Sequence, residues 1–348
     1  MIKVLIVEDS PVMQELLRFT LNADPDFSII DIAADGEEAI KSAVKHRPDV
    51  IAMDYFMPKL NGEEATRRIM EICPTPIVIV TGNFAAKYVT LSFSLIEAGA
   101  LAIVKKPPCL AHPDYKKDAL ELIQTLKLMS EVKVVRRFGR IKREDSRVNP
   151  VPAISINKTS KIQVVVIGAS TGGPNVLQKI ISGLPKDYPY PILIVQHISK
   201  GFVLGFAEWL SKATNFPFHI ACQGEYPLPG NGYIAPDSFH MGIERGPRIV
   251  LSDHEPENGL KPSIAFLFRT AAKIFGSEAV GILLTGMGKD GAKELKLMKD
   301  HGAVTIVQDQ KSSVVYGMPG EAIILNAAMH ILSPEEIIAA LTVLVNRN

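Results

Sequence analysis

The sequence lacks an excess of charge of either sign: 38 basic and 37 acidic side chains leave a formal net charge of +1. That balance gives no support to binding of nucleic acid, which calls for a basic face. Cysteine is scarce, and Cys73, Cys109 and Cys222 are scattered singly. They make neither a metal-type pair nor a disulfide framework, so a reducing cytoplasm is expected. No apolar run approaches the ~20 residues that span a bilayer, which argues against membrane insertion. The opening residues reach Glu8 and Asp9 far too soon for a signal peptide. No Gly-Lys-Ser or Gly-Lys-Thr triplet occurs, hence no Walker phosphate loop. What the chain does have is apolar content, 47% of 348 residues, which is ample for two cores.

The first half alternates short apolar strands with helical patterns. Strands are expected over 2–7, 29–33, 50–53, 77–80 and 100–104. Ser10-Pro11 reads as an N-cap and first-turn proline, followed by Val12, Leu16, Leu17, Thr20 and Leu21 at helical spacing. Further helices are expected over 37–45 (burying Ala39, Ile40, Ala43 and Val44), over 63–71, through Leu95 and Ile96, and over 116–128. The alternation predicts a doubly wound parallel sheet. Glu8, Asp9, Asp54, Thr81 and Lys106 all fall at carboxyl ends of these strands, the edge where such sheets bind ligands. Any one of them alone reads as a cap or a solvated turn; five in order at one edge read as a site. Three converging carboxylates repel one another and call for a cation. Hard oxygen ligands favour Mg²⁺, which leaves room for water and a phosphoryl group. A carboxylate so placed, beside an ammonium and a hydroxyl, can accept a phosphoryl group.

Glu8-Asp9-Ser10, Asp54-Tyr55-Phe56-Met57-Pro58 with Gly62, Thr81, and Lys106-Pro107 together resemble the receiver domain of two-component response regulators. The resemblance implies a flavodoxin-like fold with Asp54 as phosphoacceptor. It implies Mg²⁺ held by Glu8, Asp9, Asp54 and the backbone carbonyl of Phe56, with Thr81 as switch hydroxyl and Lys106 pairing with the phosphoryl group. One departure is Ile103, where many receivers carry an aromatic switch residue.

From Arg136 the character changes. Arg136, Arg137, Arg140, Lys142, Arg143 and Arg147 crowd a stretch with few large apolar residues, followed by Pro150, Pro152 and polar residues to Lys161. This reads as an exposed basic linker over 129–160 between domains at 1–128 and 161–348, or as a docking segment for an acidic surface.

The second half begins with Ile162 to Gly173, a β-branched run leading into Gly168-Ala169-Ser170-Thr171-Gly172-Gly173, with Pro174 opening a helix. Small neighbours on a strand-to-helix turn expose a serine hydroxyl, and free N–H groups at the helix start can hold an oxyanion. Packing alone or cradling of a phosphate also fits this turn. Further strands are expected over 192–195, 218–221, 248–251, 280–284 and 304–307, with a hairpin turn at Pro229-Gly230-Asn231-Gly232-Tyr233. Helices are expected through Phe202, Phe206, Trp209 and Leu210, over 264–275, and after a capping box at Ser333-Pro334-Glu335-Glu336. The edge rule gathers Ser170, His197 and Asp290. An attacking hydroxyl, an imidazole that moves its proton and a carboxylate that orients the imidazole make an ester or amide hydrolase. His240 is the rival histidine; His219, His254 and His301 read as structural or solvated. The order Ser…His…Asp departs from α/β-hydrolases, so that fold is not implied.

Ile167-Gly168-Ala169-Ser170-Thr171-Gly172-Gly173, Gln196-His197, Tyr233-Ile234-Ala235-Pro236, Leu284-Thr285-Gly286-Met287-Gly288-Lys289-Asp290-Gly291-Ala292 and Gly317-Met318-Pro319 resemble the catalytic domain of chemotaxis protein-glutamate methylesterases, the CheB family. With the receiver in front, the resemblance covers nearly the whole chain. It implies an α/β protein of two doubly wound domains, the second Rossmann-like. It implies Ser170 as nucleophile, His197 as general acid-base, Asp290 as orienting carboxylate, and an oxyanion site at Met287 N–H and the Thr171 turn. It further implies a cytoplasmic, monomeric enzyme that removes methyl esters from chemoreceptor glutamates, deamidates receptor glutamines and needs no metal for the ester step. A histidine kinase would phosphorylate Asp54 and relieve inhibition by the receiver. Two alternatives stay open: a phosphorylation-controlled binding protein without turnover, and an esterase serving an output other than chemotaxis.

Overall fold

A computed structural model of the chain describes residues 1–82, 93–132, 134 and 161–345. The expected linker lies, from residue 135 onward, outside the described residues, and so does the docking-segment reading of its basic run. The chain divides into two compact units, Met1–Ser146 and Arg147–Asn348. Among the described residues, no helix is long and apolar enough to cross a membrane.

The first unit is built on β1 (Ile2–Val7), α1 (Pro11–Asn22), β2 (Phe27–Ala33), α2 (Gly36–His46), β3 (Val50–Met53), α3 (Gly62–Ile72), β4 (Ile77–Thr81), β5 (Ala102–Lys105) and α4 (Tyr115–Ser130). Residues 93–98 are helical as well. The five strands lie in the order β2-β1-β3-β4-β5, all parallel. The order reverses between β1 and β3, and this is the switch point where ligands bind. Val4 to Val7 and Val50 to Met53 are buried, as the central strands of a sheet covered on both faces must be.

The N-cap at Ser10 and the first-turn proline stand where they were expected, while the burial of Val44 is corrected. Ser10 occupies the N-cap of α1, but its side chain makes no capping bond. Val12 and Val44 are exposed, at 77% and 40%. On α1 and α2 the buried stripe is narrower than the apolar spacing suggested: Leu17 and Leu21 carry it in α1, Ala39 and Ala43 in α2.

The second unit has β6 (Val164–Ala169), α5 (Gly173–Ser182), β7 (Ile192–Gln196), α6 (Val203–Thr214), β8 (Phe218–Ile220), β9 (Gly232–Ile234), β10 (His240–Glu244), β11 (Arg248–Ser252) and α7 (Ile264–Phe275). It continues with β12 (Ala279–Leu283), α8 (Ala292–Asp300), β13 (Val304–Gln308), α9 (Met318–Ile324), β14 (His330–Leu332) and α10 (Pro334–Val345). Seven strands form one parallel sheet in the order β14-β13-β12-β6-β7-β9-β8. β6 is the switch strand: the chain moves outward on one side through β7, then returns to the other side as β12. All six β6 residues are buried, and each large apolar side chain there contributes about 1.5–3 kcal/mol relative to exposure.

The hairpin expected at Pro229–Tyr233 is not formed. The turn is present, closed by Asn231 N–H donating to the Leu228 carbonyl at 3.3 Å. It delivers the chain into β9, which lies parallel to both β7 and β8. β7 needs a partner on its outer side, and β9 supplies it. The antiparallel hairpin is instead β10–β11, a separate two-stranded sheet. The capping box forms as expected: Ser333 N–H donates to Glu336 at 2.8 Å, and Glu336 N–H donates to Ser333 Oγ at 3.3 Å.

Candidate active site

β6 and β7 are register partners at Ala169 and Gln196, so Ser170 and His197 leave adjacent strands side by side. Parallel neighbours lie about 4.8 Å apart. Ser170 N–H donates to the Thr285 carbonyl at 3.0 Å, and His197 N–H to the Ala169 carbonyl at 2.9 Å. Both residues are therefore fixed by main-chain bonds to the sheet and to the loop after β12. Among the described residues, no hydrogen bond joins Ser170 Oγ to His197. Such bonds are often loose until substrate binds.

Asp290 comes from that same loop and is 3% exposed. Its Oδ2 lies 2.9 Å from His197 Nε2. Oδ2 also accepts from Ile264 N–H at 2.6 Å, and Oδ1 accepts from Ala265 N–H at 3.1 Å. The carboxylate thus sits on the first turn of α7, where orphan N–H groups and the helix dipole favour negative charge. Ser263 caps that helix by accepting from Phe266 N–H at 3.2 Å. The helix start reaches this position because Gly168 and Gly291 carry no side chain: a Cβ on either would stand 2.4 Å from Ile264 Cγ2.

A carboxylate only accepts, so His197 Nε2 carries the ring proton and Nδ1 is left with the lone pair. Nδ1 is then the nitrogen able to take a proton from a hydroxyl. The loop Gly286-Met287-Gly288 packs against Ser170. A Cβ on Gly286 would stand 2.5 Å from Ser170 Cβ, so a larger residue there would displace the serine. From below, Gly317 and Met318 N–H donate to the Gly286 carbonyl at 3.1 and 2.9 Å. Thr285 is buried, with its N–H donating to Gln308 Oε1 at 2.8 Å and its Oγ1 3.0 Å from the Thr171 carbonyl. Among the described residues, neither Thr171 N–H nor Met287 N–H is taken by a protein acceptor, and Met287 is 46% exposed. Thr171 follows the serine directly, and Met287 follows the Gly286 that packs against it.

The rival His240 is fully buried. Its Nδ1 accepts from Ser263 N–H and its Nε2 donates to the Glu255 carbonyl, both at 3.1 Å. With both nitrogens held by main chain, it supports the cap of α7 rather than moving protons. His219 pairs with Glu225 at 2.7 Å on the edge strand, and His301 lies 2.9 Å from the Leu297 carbonyl at the end of α8. The roles of the Ile264 and Ala265 amides and of the Gln308, Thr285 and Gln196 side chains were not anticipated. Gln196 and Thr285 stood inside the quoted motifs without a role, Ser263 ahead of an amphipathic run marked the first pair, and Gln308 left no signal.

In the first unit, carboxylate atoms of Glu8, Asp9 and Asp54 lie within 4.8 Å of one another. Glu8 and Asp54 are buried and Asp9 is exposed. Lys106 Nζ is 2.6 Å from Glu8 Oε2 and 2.9 Å from Asp54 Oδ2. Burial pushes the Glu8 and Asp54 carboxyls above the usual range, with carboxylate neighbours adding to it. Burial pulls Lys106 down, but Asp54 and Glu8 outweigh it and hold the ammonium above its ordinary value. Thr81 ends β4, and its carbonyl accepts from Lys106 N–H at 2.9 Å. Phe56 follows Asp54 by two residues in the β3–α3 loop. Ile103 lies in β5, paired in register with Ile79. Crowded, desolvated carboxylates with hard oxygen donors and one open side fit Mg²⁺.

The raised Asp54 carboxyl has a consequence for stability. The folded protein binds more protons than the unfolded chain between the two pKa values, so stability falls as pH rises through that interval. In the absence of divalent cations, Asp54→Asn is expected to melt several degrees above the parent at pH 7. The gain should vanish as pH falls below the ordinary aspartate value near 3.8. A parent that melts above the variant at pH 7 would contradict the direction of this shift.

A family model described as CheB methylesterase matches residues 165–341, and one described as response regulator receiver domain matches residues 4–111. A protein-glutamate methylesterase/protein-glutamine glutaminase of Nitrosospira multiformis is 54% identical over 345 residues, 99% of this chain and 97% of that protein. The chain belongs to the CheB methylesterase family. A second relative of the same description, from Methanospirillum hungatei, is 47% identical over 97% of this chain and 96% of its own length. The crystal structure of the Thermotoga maritima CheB methylesterase catalytic domain is 37% identical, with TM-score 0.51, and covers 53% of this chain and all of that one. As a CheB-type methylesterase the chain is a hydrolase of two α/β units, a receiver followed by a catalytic domain.

Proposed function

We propose that the protein hydrolyses methyl esters of glutamyl side chains on chemoreceptor cytoplasmic helices and deamidates receptor glutamines, under control of Asp54 phosphorylation. The observation that carries the esterase reading is the 2.9 Å contact of His197 Nε2 with an Asp290 anchored on a helix N-terminus, beside Ser170. Ser170 Oγ attacks the ester carbonyl carbon while its proton passes to His197 Nδ1. Met287 and Thr171 N–H groups receive the charge that develops on the carbonyl oxygen. His197 returns the proton to the departing methoxide, which leaves as methanol. Water then attacks the acyl-serine by the same route, and its second proton leaves with the new carboxylic acid. A side-chain amide follows the same path and releases ammonia. Asp290 remains a carboxylate throughout and keeps the imidazole in its useful tautomer.

In the receiver unit, Glu8, Asp9, Asp54 and the Phe56 carbonyl would hold Mg²⁺, which supplies neutralising charge for a transferring phosphoryl group. Asp54 is the phosphoacceptor, Lys106 pairs with the phosphoryl oxygens and Thr81 responds to them. The unphosphorylated receiver inhibits the methylesterase unit. A chemotaxis histidine kinase is the phosphodonor, and the enzyme works as a cytoplasmic monomer. The scattered free cysteines suit that compartment.

Methanol release from methylated receptor membranes, with and without acetyl phosphate and Mg²⁺, tests the whole reading. Stimulation on the order of tenfold is expected, a typical coupling between two sites. Asp54→Asn is expected to remove the stimulation. Equal stimulation of parent and variant would place the phosphosite elsewhere, and absence of methanol under every condition would favour a binding protein without turnover.

A further inference from the structure

The last residue of β7, Gln196, is 4% exposed and faces the site from inside the protein. Its Nε2 donates to the Ser170 carbonyl at 2.9 Å and to the His197 carbonyl at 2.8 Å. One amide group thus spends both of its hydrogens on the main chain of the two residues that must exchange a proton. Its orientation is not ambiguous: the flipped amide would set Oε1 against two carbonyl oxygens. The other end is unusual. Gln196 Oε1 is buried and has no hydrogen-bond donor among the described residues. It is tucked against the first turn of α5, where a Cβ on Gly173 would stand 2.3 Å away. A buried, unpaired amide oxygen destabilises a fold, and this offsets part of what the two Nε2 bonds contribute. The net gain in stability is therefore small, and what the side chain mainly supplies is geometry.

We infer that Gln196 is a positioning residue for the hydrolysis: its amide ties the Ser170 and His197 carbonyls together and sets the spacing between nucleophile and acid-base. The inference rests on the Ser170–His197–Asp290 reading above. In the resting structure no Ser170 Oγ–His197 bond holds the pair, so their approach is set by the placement of the two main chains and by the hold of Asp290 on the imidazole. His197 N–H is tied to the Ala169 carbonyl at 2.9 Å, which fixes one side of the histidine. The Gln196 amide fixes the other side and reaches across to the serine. The Ser170 carbonyl also accepts from Gly173 N–H at 2.8 Å, so the same atom anchors the start of α5. A displacement of about 1 Å between reacting groups can lower a rate about 10²-fold without weakening substrate binding.

The test compares full-length parent, Gln196→Met, Gln196→Glu and Ser170→Ala in methanol release from methylated receptor membranes, with thermal melting of each. Gln196→Met keeps the side chain's length and removes both bonds. Its kcat is expected to fall about 10²-fold with KM within about threefold, while the melting midpoint stays near the parent's. Gln196→Glu sets a carboxylate against two carbonyl oxygens, whereas its protonated form can donate one hydrogen bond. Its activity relative to the parent is expected to drop as pH rises and to recover as pH falls, and this readout remains if the methionine variant does not fold. A folded Gln196→Met with kcat within twofold of the parent overturns the inference, as does a Glu-to-parent ratio flat across pH. Retained activity in Ser170→Ala would instead overturn the triad itself, so the two failures are distinguishable.

Discussion

Ser170→Ala is expected to lower methanol release by at least about 10⁴-fold, with the melting midpoint unchanged. The size follows from the division of labour at the site. In the proposed mechanism, loss of the hydroxyl removes the acyl intermediate, and what remains is stabilisation of the oxyanion by free N–H groups and binding of the ester. Stability should hold because Ser170 is fixed by its main chain, through N–H to the Thr285 carbonyl and carbonyl to Gly173 N–H. Among the described residues its Oγ makes no hydrogen bond whose loss would weaken the fold. Alanine also keeps the Cβ that packs against Gly286, so the loop carrying Met287 has no reason to move. Rapid-quench detection of an acyl-protein in the parent, and its absence in the variant, checks the same point independently. Retention of even a tenth of the parent rate would put the nucleophile elsewhere.

The sheet and the residues on its edge were legible because their signals are local. Val164 to Ile167, Ile192 to Val195 and Val280 to Leu283 are continuous apolar runs, and each is a fully buried strand. Whatever follows such a strand lands on the carboxyl edge, so Ser170, His197, Glu8, Asp9 and Asp54 could be placed without knowing strand order. Partners joined across sequence distance could not. Asp290 meets the Ile264 and Ala265 amides across 26 and 25 residues, and Thr285 meets Gln308 across 23. These bonds leave no periodicity. Pro229-Gly230-Asn231-Gly232 was misread for a related reason. Its composition specifies a turn, but whether a turn joins antiparallel strands or feeds a parallel one depends on the neighbour that claims the strand, here β7. His240 was undecided until its two ring nitrogens were found on main-chain groups at Ser263 and Glu255.

The direction in which His197 faces makes Asp290→Asn the more searching substitution. Asparagine is nearly isosteric. With its amide oxygen in the place of Oδ1 it still accepts from Ala265 N–H, and Ser263 still caps α7, so the start of the helix should survive with only Ile264 N–H left unpaired. The amide NH₂ then faces His197 Nε2, which must accept instead of donate. That forces the ring proton onto Nδ1, the nitrogen that takes the serine proton in the proposed mechanism. The expected result is a folded protein with kcat reduced about 10⁴-fold and little change in KM, since the fault lies in the tautomer and not in the pocket. Asp290→Ala is expected to combine that loss with a lower melting midpoint, because it strands the two α7 amides as buried, unpaired donors. The imidazole N–H resonances should separate the cases: in the parent the proton sits on Nε2 against a carboxylate, and in Asp290→Asn on Nδ1. An asparagine variant that keeps parental kcat would mean that His197 does not depend on Asp290 for its tautomer. The carboxylate's bonds to α7 would then be structural only, and a different group would have to orient the imidazole.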